Sequence, residues 1–297
     1  MQEIDELIVK FLKDLDYPFI LDMFDNIGTG KKLRSKLILN IAGFNENSYK
    51  LSAVIELIHL ASLLHDDIID DCKLRRGKKS INAEFGVKNA LMLGDVLYSK
   101  AFYELTFFNN EISKIVSKAV VDLSIGELMD VKLSDSFNID KDKYMNMIYK
   151  KTAVLIEASA KSAAILAGLS CEKFGEYGKN LGIAFQIIDD ILDIKNSEDV
   201  LGKEAMNDFK EGKTTLAYMY LYEKLNENDR NALKSMFKKD LNEKDIIWIK
   251  EKMAEFNIIN KVIDEAKNYG LSALNSIKEF NNNHLNDIVE KMINREF

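Results

Sequence analysis

The chain has 297 residues, 47 % of them hydrophobic, and a net charge of −7. It is long for one domain by the usual measure of ~150 residues, yet a single large helical domain is allowed, and the acid excess argues against a nucleic-acid binder. One proline, Pro18, 14 glycines and two cysteines, Cys72 and Cys171, leave few helix breakers and neither a disulfide framework nor a cysteine-bound metal cluster, which fits a reducing cytoplasm.

The first sixteen residues read as an acidic amphipathic helix rather than a signal peptide. From there apolar residues recur at i, i+3, i+4 and i+7 while alternation is rare, which predicts an all-α protein of ten or more helices. No apolar run approaches the ~20 residues of a membrane span. Short breaks fall at 26–30, 45–48, 75–79, 134–138, 170–171, 196–197, 207–212 and 281–283. The first holds the start of a basic stretch, Gly30-Lys31-Lys32-Leu33-Arg34, that leads into a helix.

The next helix ends in Asp66-Asp67-Ile68-Ile69-Asp70, an acidic signature in an apolar stretch. Carboxylates there need counter-charge, because burying an unpaired charge is costly. At helical pitch Glu56, His59, Asp66, Asp67 and Asp70 fall within an arc of roughly 100°. His65 points almost the opposite way. A histidine in an apolar helix is ordinarily a core residue; alignment with four carboxylates moves His59 to the acidic face, and His65 keeps the core reading. Glu56 and His59 also match the Glu-x-x-His pattern of di-iron bundles. That pattern needs a second pair, which neither His65 nor His284 supplies. A histidine–aspartate metallohydrolase lacks histidine ligands for the same reason.

Lys73, Arg75, Arg76, Lys78 and Lys79 follow at once. Alone they would be a solvated turn. Beside the acids they suit a ligand that carries both divalent cations and phosphate oxygens, which arginine's planar fork binds in pairs. A second signature, Asp189-Asp190-Ile191-Leu192-Asp193, again ends an apolar helix, and Lys203 and Lys213 lie beyond it. Two such helices with oxygen ligands read as a metal–phosphate site. The stretch 226–297 is more polar and carries no nameable chemistry; it reads as packing helices on the same domain.

On these pieces the chain resembles the trans-polyprenyl diphosphate synthases. The matching segments are Gly30 to Arg34, HLASLLHDDIIDDCKLRRG from His59 to Gly77, Leu93-Gly94-Asp95, Gly126-Glu127-Leu128, Lys151-Thr152, Gln186 to Asp193, and Gly202-Lys203 through Lys213. The likeness is strong over 28–222 and thin beyond. It implies one domain over 1–297, a single large helical bundle around a central cavity, and head-to-tail condensation of isopentenyl diphosphate with an allylic diphosphate, farnesyl or geranyl. It also implies a cytoplasmic homodimer and Mg²⁺, three ions per site with diphosphate bound. Asp66, Asp67, Asp70, Asp189, Asp190 and Asp193 would be the metal ligands. Arg75, Lys151 and Lys203 would hold the allylic diphosphate, with Thr152 and Gln186 beside it. Lys31, Arg34, His59 and Arg76 would clamp isopentenyl diphosphate, and Lys213 would belong to a closing loop. The sequence departs from the family at three prolines, replaced by Ser35, Lys79 and Thr214.

For product length the resemblance points to small residues one turn before Asp66. Ala61 and Ser62 stand where bulky aromatics would plug the elongation tunnel, so a long, octaprenyl-like product for quinone side chains is expected, released peripherally to membrane. Phe102, Leu105 and Thr106 are candidates for the tunnel floor. A shorter farnesyl or geranylgeranyl product is the alternative. A class I terpene cyclase would lack the isopentenyl clamp, and a non-catalytic subunit would have lost its acidic motifs.

Overall fold

Asn or Asp side chains cap the starts of several helices. In the computed structural model, which describes residues 1–28, 30–75, 77–195 and 206–293, the chain opens with α1 (Gln2–Lys13), α2 (Pro18–Asp25), α3 (Leu33–Ala42) and α4 (Glu46–Ile69). Pro18 sits in the first turn of α2, where its missing N–H has no helical partner to lose. The break at 45–48 is a capping box. The Asn45 side chain accepts the Ser48 N–H at 3.1 Å, and the Ser48 hydroxyl accepts the Asn45 N–H at 3.0 Å.

At the break at 75–79, β1 (Leu74–Arg75) pairs antiparallel with β2 (Lys78–Lys79). Next come α5 (Ile81–Phe85), α6 (Val87–Leu105), α7 (Asn110–Leu133), α8 (Lys141–Ile148), a π-helical turn over Tyr149–Ala153, α9 (Val154–Ala167) and α10 (Cys171–Lys195). The remainder forms α11 (Asn207–Lys210), α12 (Leu216–Lys224), α13 (Glu227–Met236), α14 (Glu243–Glu255), α15 (Ile258–Ser276) and α16 (Asn283–Ile293).

The described residues group into two compact units. The first comprises Met1–Val121 with Leu155–Gly175, and the second comprises Asp122–Val154 with Glu176–Phe297. In the first, α4 packs on α1, α3 and α6. Its core runs through Ile4, Ile8 and Leu12 of α1, Leu51, Ile55 and Ile58 of α4, and Leu93 and Leu97 of α6. In the second, Tyr144 and Ile148 of α8, Ile187 and Ile188 of α10, Phe209 of α11 and Tyr218 and Leu221 of α12 share one apolar cluster with α14 and α15. The Tyr177 hydroxyl donates to Leu285 O at 2.8 Å and ties α10 to α16. None of the described helices is long and apolar enough to cross a membrane.

Candidate active site

The first acidic motif occupies the last turn of α4, with Asp70 as its C-terminal cap. Carboxylates are unfavourable at the negative end of a helix dipole, so this placement needs a cation. Arg75 of β1 provides it. Its Nε donates to Asp67 Oδ1 at 2.6 Å, and Nη2 reaches Asp66 Oδ2 at 3.5 Å. The Asp67 side chain is only 4 % exposed, so this is a buried carboxylate with its counter-charge in place. Burial works against the charge on Arg75; the hydrogen bond to Asp67, together with the charges of Asp67 and Asp66, outweighs it and raises the guanidinium pKa. Asn82 of α5 donates to Asp67 O at 3.2 Å and Cys72 O at 3.1 Å, which fastens the turn between motif and ribbon.

The neighbouring residues divide by helix face. Glu56 is buried and turns toward α3, where it accepts the Ser35 hydroxyl at 2.5 Å. Arg34 and His59 are half-buried and Lys31 is exposed. Lys32, left-handed at φ 49°, caps α3 and pairs with Asp5. His65 faces α6. Its Nε2 lies 3.2 Å from Leu91 O and 3.6 Å from Asp95 Oδ1. Gly94 makes room for that ring, since a Cβ there would stand 2.3 Å from His65 Nε2. Two of the missing prolines have found contacts within this unit: Ser35 with Glu56, and Lys79 with Glu84 at 3.0 Å.

Ala61 is fully buried, and the hydroxyl of half-buried Ser62 bonds back to His59 O at 2.8 Å. Leu105 is buried. Phe102 is exposed and stacks on Tyr98, and Thr106 is an exposed cap of α6. Arg76 and Lys203, with Gly202, lie outside the described residues.

The second motif lies near the end of α10 and is held by hydrogen bonds rather than by arginine. Asp190 is buried; Oδ1 accepts Gln186 Nε2 at 2.7 Å, and Oδ2 accepts the Tyr144 hydroxyl. Gln186 in turn accepts the Thr152 hydroxyl at 2.7 Å. Asp193 uses both oxygens, accepting the N–H groups of Asn207 and Asp208 at 3.1 Å each, and so anchors α11. Asp189 is half-buried. Burial, reinforced by the charge of Asp208, pushes the Asp190 and Asp193 carboxyls upward. A cation beside them works in the opposite sense.

Lys151 lies in the π turn, a distortion often found at functional sites. Its Nζ sits 2.6 Å from Asp130 and 2.9 Å from Glu127, both on α7. Lys150 takes Asp122, also at 2.6 Å. Gly126 lets α7 approach this turn, because a Cβ there would lie 2.3 Å from Lys151 N. Lys213 pairs with Glu211 at 2.7 Å, and Thr214 Oγ1 accepts the Asn138 N–H at 3.3 Å. Sequence reasoning missed Tyr144, which reads as an ordinary core aromatic, and the roles of Glu127 and Asp130. The available signal was three acids, Asp122, Glu127 and Asp130, in the helical stretch that precedes two adjacent lysines, Lys150 and Lys151.

Both motifs offer carboxylate oxygens without thiolate, a donor set for a hard cation such as Mg²⁺. Among the described residues no group of three or more His, Cys, Asp or Glu forms a ready-made metal cage. Mg²⁺ needs none, since it takes one or two carboxylates and completes its shell with water and phosphate oxygens. The residues therefore fit a cation that arrives with a diphosphate.

Comparison with known proteins agrees. The family model described as polyprenyl synthetase matches residues 18–253. The crystal structure of octaprenyl pyrophosphate synthase from Helicobacter pylori has a TM-score of 0.94 at 45 % identity, covering 99 % of this chain and 98 % of that one. A short chain isoprenyl diphosphate synthase of Methanothermobacter thermautotrophicus is 38 % identical over 248 residues, 78 % of this chain and 76 % of its own length. Octaprenyl diphosphate synthase of Escherichia coli is 38 % identical over 201 residues, 65 % of this chain and 62 % of its own length. With two aspartate-rich helix ends, their basic neighbours and a match over most of its length, the chain belongs to the polyprenyl synthetase family and is a prenyltransferase.

Proposed function

We propose that this prenyltransferase, of a generally Mg²⁺-dependent family, condenses isopentenyl diphosphate with farnesyl or geranyl diphosphate, repeatedly, to a long octaprenyl-like trans-polyprenyl diphosphate. The observation that carries the chemistry is the pairing of buried Asp67 with Arg75 at the end of α4. It sets a buried carboxylate directly against a phosphate-binding guanidinium.

The residue roles follow from the charges. In the first unit Asp66, Asp67 and Asp70 would accept the cation, and Arg75 would hold oxygens of the allylic diphosphate. In the second, Asp189, Asp190 and Asp193 would do the former, and Lys151 and Lys203 the latter, with Thr152 and Gln186 beside them. Lys31, Arg34, His59 and Arg76 would bind the diphosphate of isopentenyl diphosphate, and Lys213 would act in closure. Bound Mg²⁺, three ions in the full complex, would supply Lewis-acid stabilisation of charge on the leaving group. Ionisation of the allylic C–O bond leaves a carbocation and a diphosphate anion, and cationic side chains stabilise the anion as it develops. Apolar walls keep water from the carbocation. The isopentenyl double bond then attacks it, and a proton is lost to the departing diphosphate.

The long product is supported by small Ala61 and Ser62 and by the 45 % identity to an octaprenyl synthase over 99 % of the chain. The short-chain relative at 38 % supports the alternative of a farnesyl or geranylgeranyl product. A homodimer working in the cytoplasm is part of the proposal; exposed Val121, Ile125, Leu128 and Val131 form an apolar stripe on α7 that suits a subunit contact. Incubation with Mg²⁺, farnesyl diphosphate and labelled isopentenyl diphosphate, followed by sizing of the products, tests the reading. A ladder ending at fifteen or twenty carbons would replace the long-chain assignment with the shorter one.

A further inference from the structure

We infer that Tyr144 is a positioning residue of the second acidic motif, its buried hydroxyl fixing the Asp190 carboxylate for cation–diphosphate binding. The inference rests on the functional reading above and deepens it. Asp190 takes a different donor on each oxygen, Gln186 Nε2 on Oδ1 and the Tyr144 hydroxyl on Oδ2. Rotation of the carboxylate in either direction breaks one of them. The Gln186 amide is oriented in turn, its N–H directed to the carboxylate and its oxygen accepting the Thr152 hydroxyl at 2.7 Å. The stretch 144–152 therefore grips Asp190 twice, directly through Tyr144 and indirectly through Thr152 and Gln186. The same stretch carries Lys151, itself seated between Asp130 and Glu127.

Packing alone does not account for a tyrosine here. Tyr144 is 2 % exposed, and a buried hydroxyl is costly unless it is bonded. Tyr177, equally buried, spends its hydroxyl on a backbone carbonyl, Leu285 O, which is a structural tie. Tyr144 spends its own on a carboxylate of the acidic motif. Its helix is pinned independently of Asp190. Asp140 caps α8, and Lys141 bonds Glu265 at 2.7 Å and the Tyr220 hydroxyl at 2.7 Å. Partners that orient metal-binding carboxylates typically matter by ~10–100-fold in metal affinity or activity.

The test uses Tyr144→Phe, which removes one oxygen and keeps the ring. Free Mn²⁺ is read by electron paramagnetic resonance as the full-length protein is titrated in the presence of inorganic pyrophosphate. The variant is expected to bind Mn²⁺ ~10–100-fold more weakly than wild type. Its half-saturating Mg²⁺ in turnover should rise correspondingly, while KM for isopentenyl diphosphate stays unchanged. A folded Tyr144→Phe protein, judged by circular dichroism, that binds Mn²⁺–pyrophosphate as wild type does would overturn the inference. If that variant does not fold, Tyr144→Met removes the same hydroxyl with a flexible, gap-filling side chain; weaker Mn²⁺ binding supports the inference and unchanged binding overturns it. A wild type that itself binds no Mn²⁺ with pyrophosphate removes the functional reading, and the inference with it. That outcome is distinct from a wild type that binds while the variant binds equally.

Discussion

The Arg75 guanidinium lies 2.6 Å from Asp67 and closes the ribbon of residues 74–79 onto the end of α4. Removing it would strand a carboxylate that is 4 % exposed. Arg75→Ala is expected to cost about 3 kcal/mol or more, because removing one partner of a buried pair leaves a charged group unsatisfied. Arg75→Lys keeps the charge without the fork and should recover only part of that loss. Urea denaturation read by circular dichroism checks both; a wild-type midpoint for Arg75→Ala would mean the pair is not what satisfies Asp67.

The Ser35–Glu56 bond is the counterpart of a lost family proline. Ser35 stands in the first turn of α3, where a proline sacrifices no helical hydrogen bond. Ser35→Pro should therefore leave the helix content intact. Like Ser35→Ala, it should lower stability by about 1 kcal/mol through the Glu56 carboxylate it leaves behind. A Ser35→Pro protein more stable than wild type would show that Glu56 finds another donor.

Gly94 and His65 form a steric pair. Gly94→Ala would place a methyl 2.3 Å from His65 Nε2, and overpacking of this kind costs about 1–3 kcal/mol. In a His65→Ala background the same change should cost much less, giving a clear coupling in a double-mutant cycle. Additive effects would separate the two residues.

Much of this was legible in the sequence. Helical period and scarce prolines specified the class, and the break at 45–48 was a capping box because Asn and Ser stand at the required spacing. The 100° arc separates His65, which faces α6, from Asp66, Asp67 and Asp70, since angular position depends only on pitch, whereas Glu56 of the same arc bonds Ser35 of α3. The ribbon at 74–79 escaped notice because two residues per strand carry no periodicity. The π turn at 149–153 escaped for a similar reason: one extra residue in a helical turn leaves no compositional trace, and only Gly126 hints at the close approach. Tyr144 was invisible because a phenol in an apolar helix looks the same whether its hydroxyl meets a carbonyl or an acidic motif.

Lys141 of α8 gives a pH signature. Burial opposes its charge, but Glu265 and the Tyr220 hydroxyl raise its pKa to about 12. A lysine raised in the folded state contributes stability that is fully present below its ordinary value of 10.5 and is lost as pH climbs through about 12. Because the side chain is 43 % exposed, solvent screening limits the contribution of the pair. Lys141→Met should cost about 0.5–1 kcal/mol at neutral pH. The gap in thermal midpoint from wild type should close between those two pH values, and a gap that persists would assign the loss to packing.

The central claim is that the two aspartate motifs serve metal-dependent chain elongation from isopentenyl diphosphate. The most direct measurement is incorporation of labelled isopentenyl diphosphate into farnesyl diphosphate, with the products sized, in Mg²⁺ and after its removal by chelation. The account predicts a ladder extending well beyond twenty carbons, abolished by chelation and by Asp66→Ala or Asp189→Ala in folded protein. Undiminished elongation in either variant, or consumption of the allylic diphosphate without isopentenyl diphosphate, would contradict it.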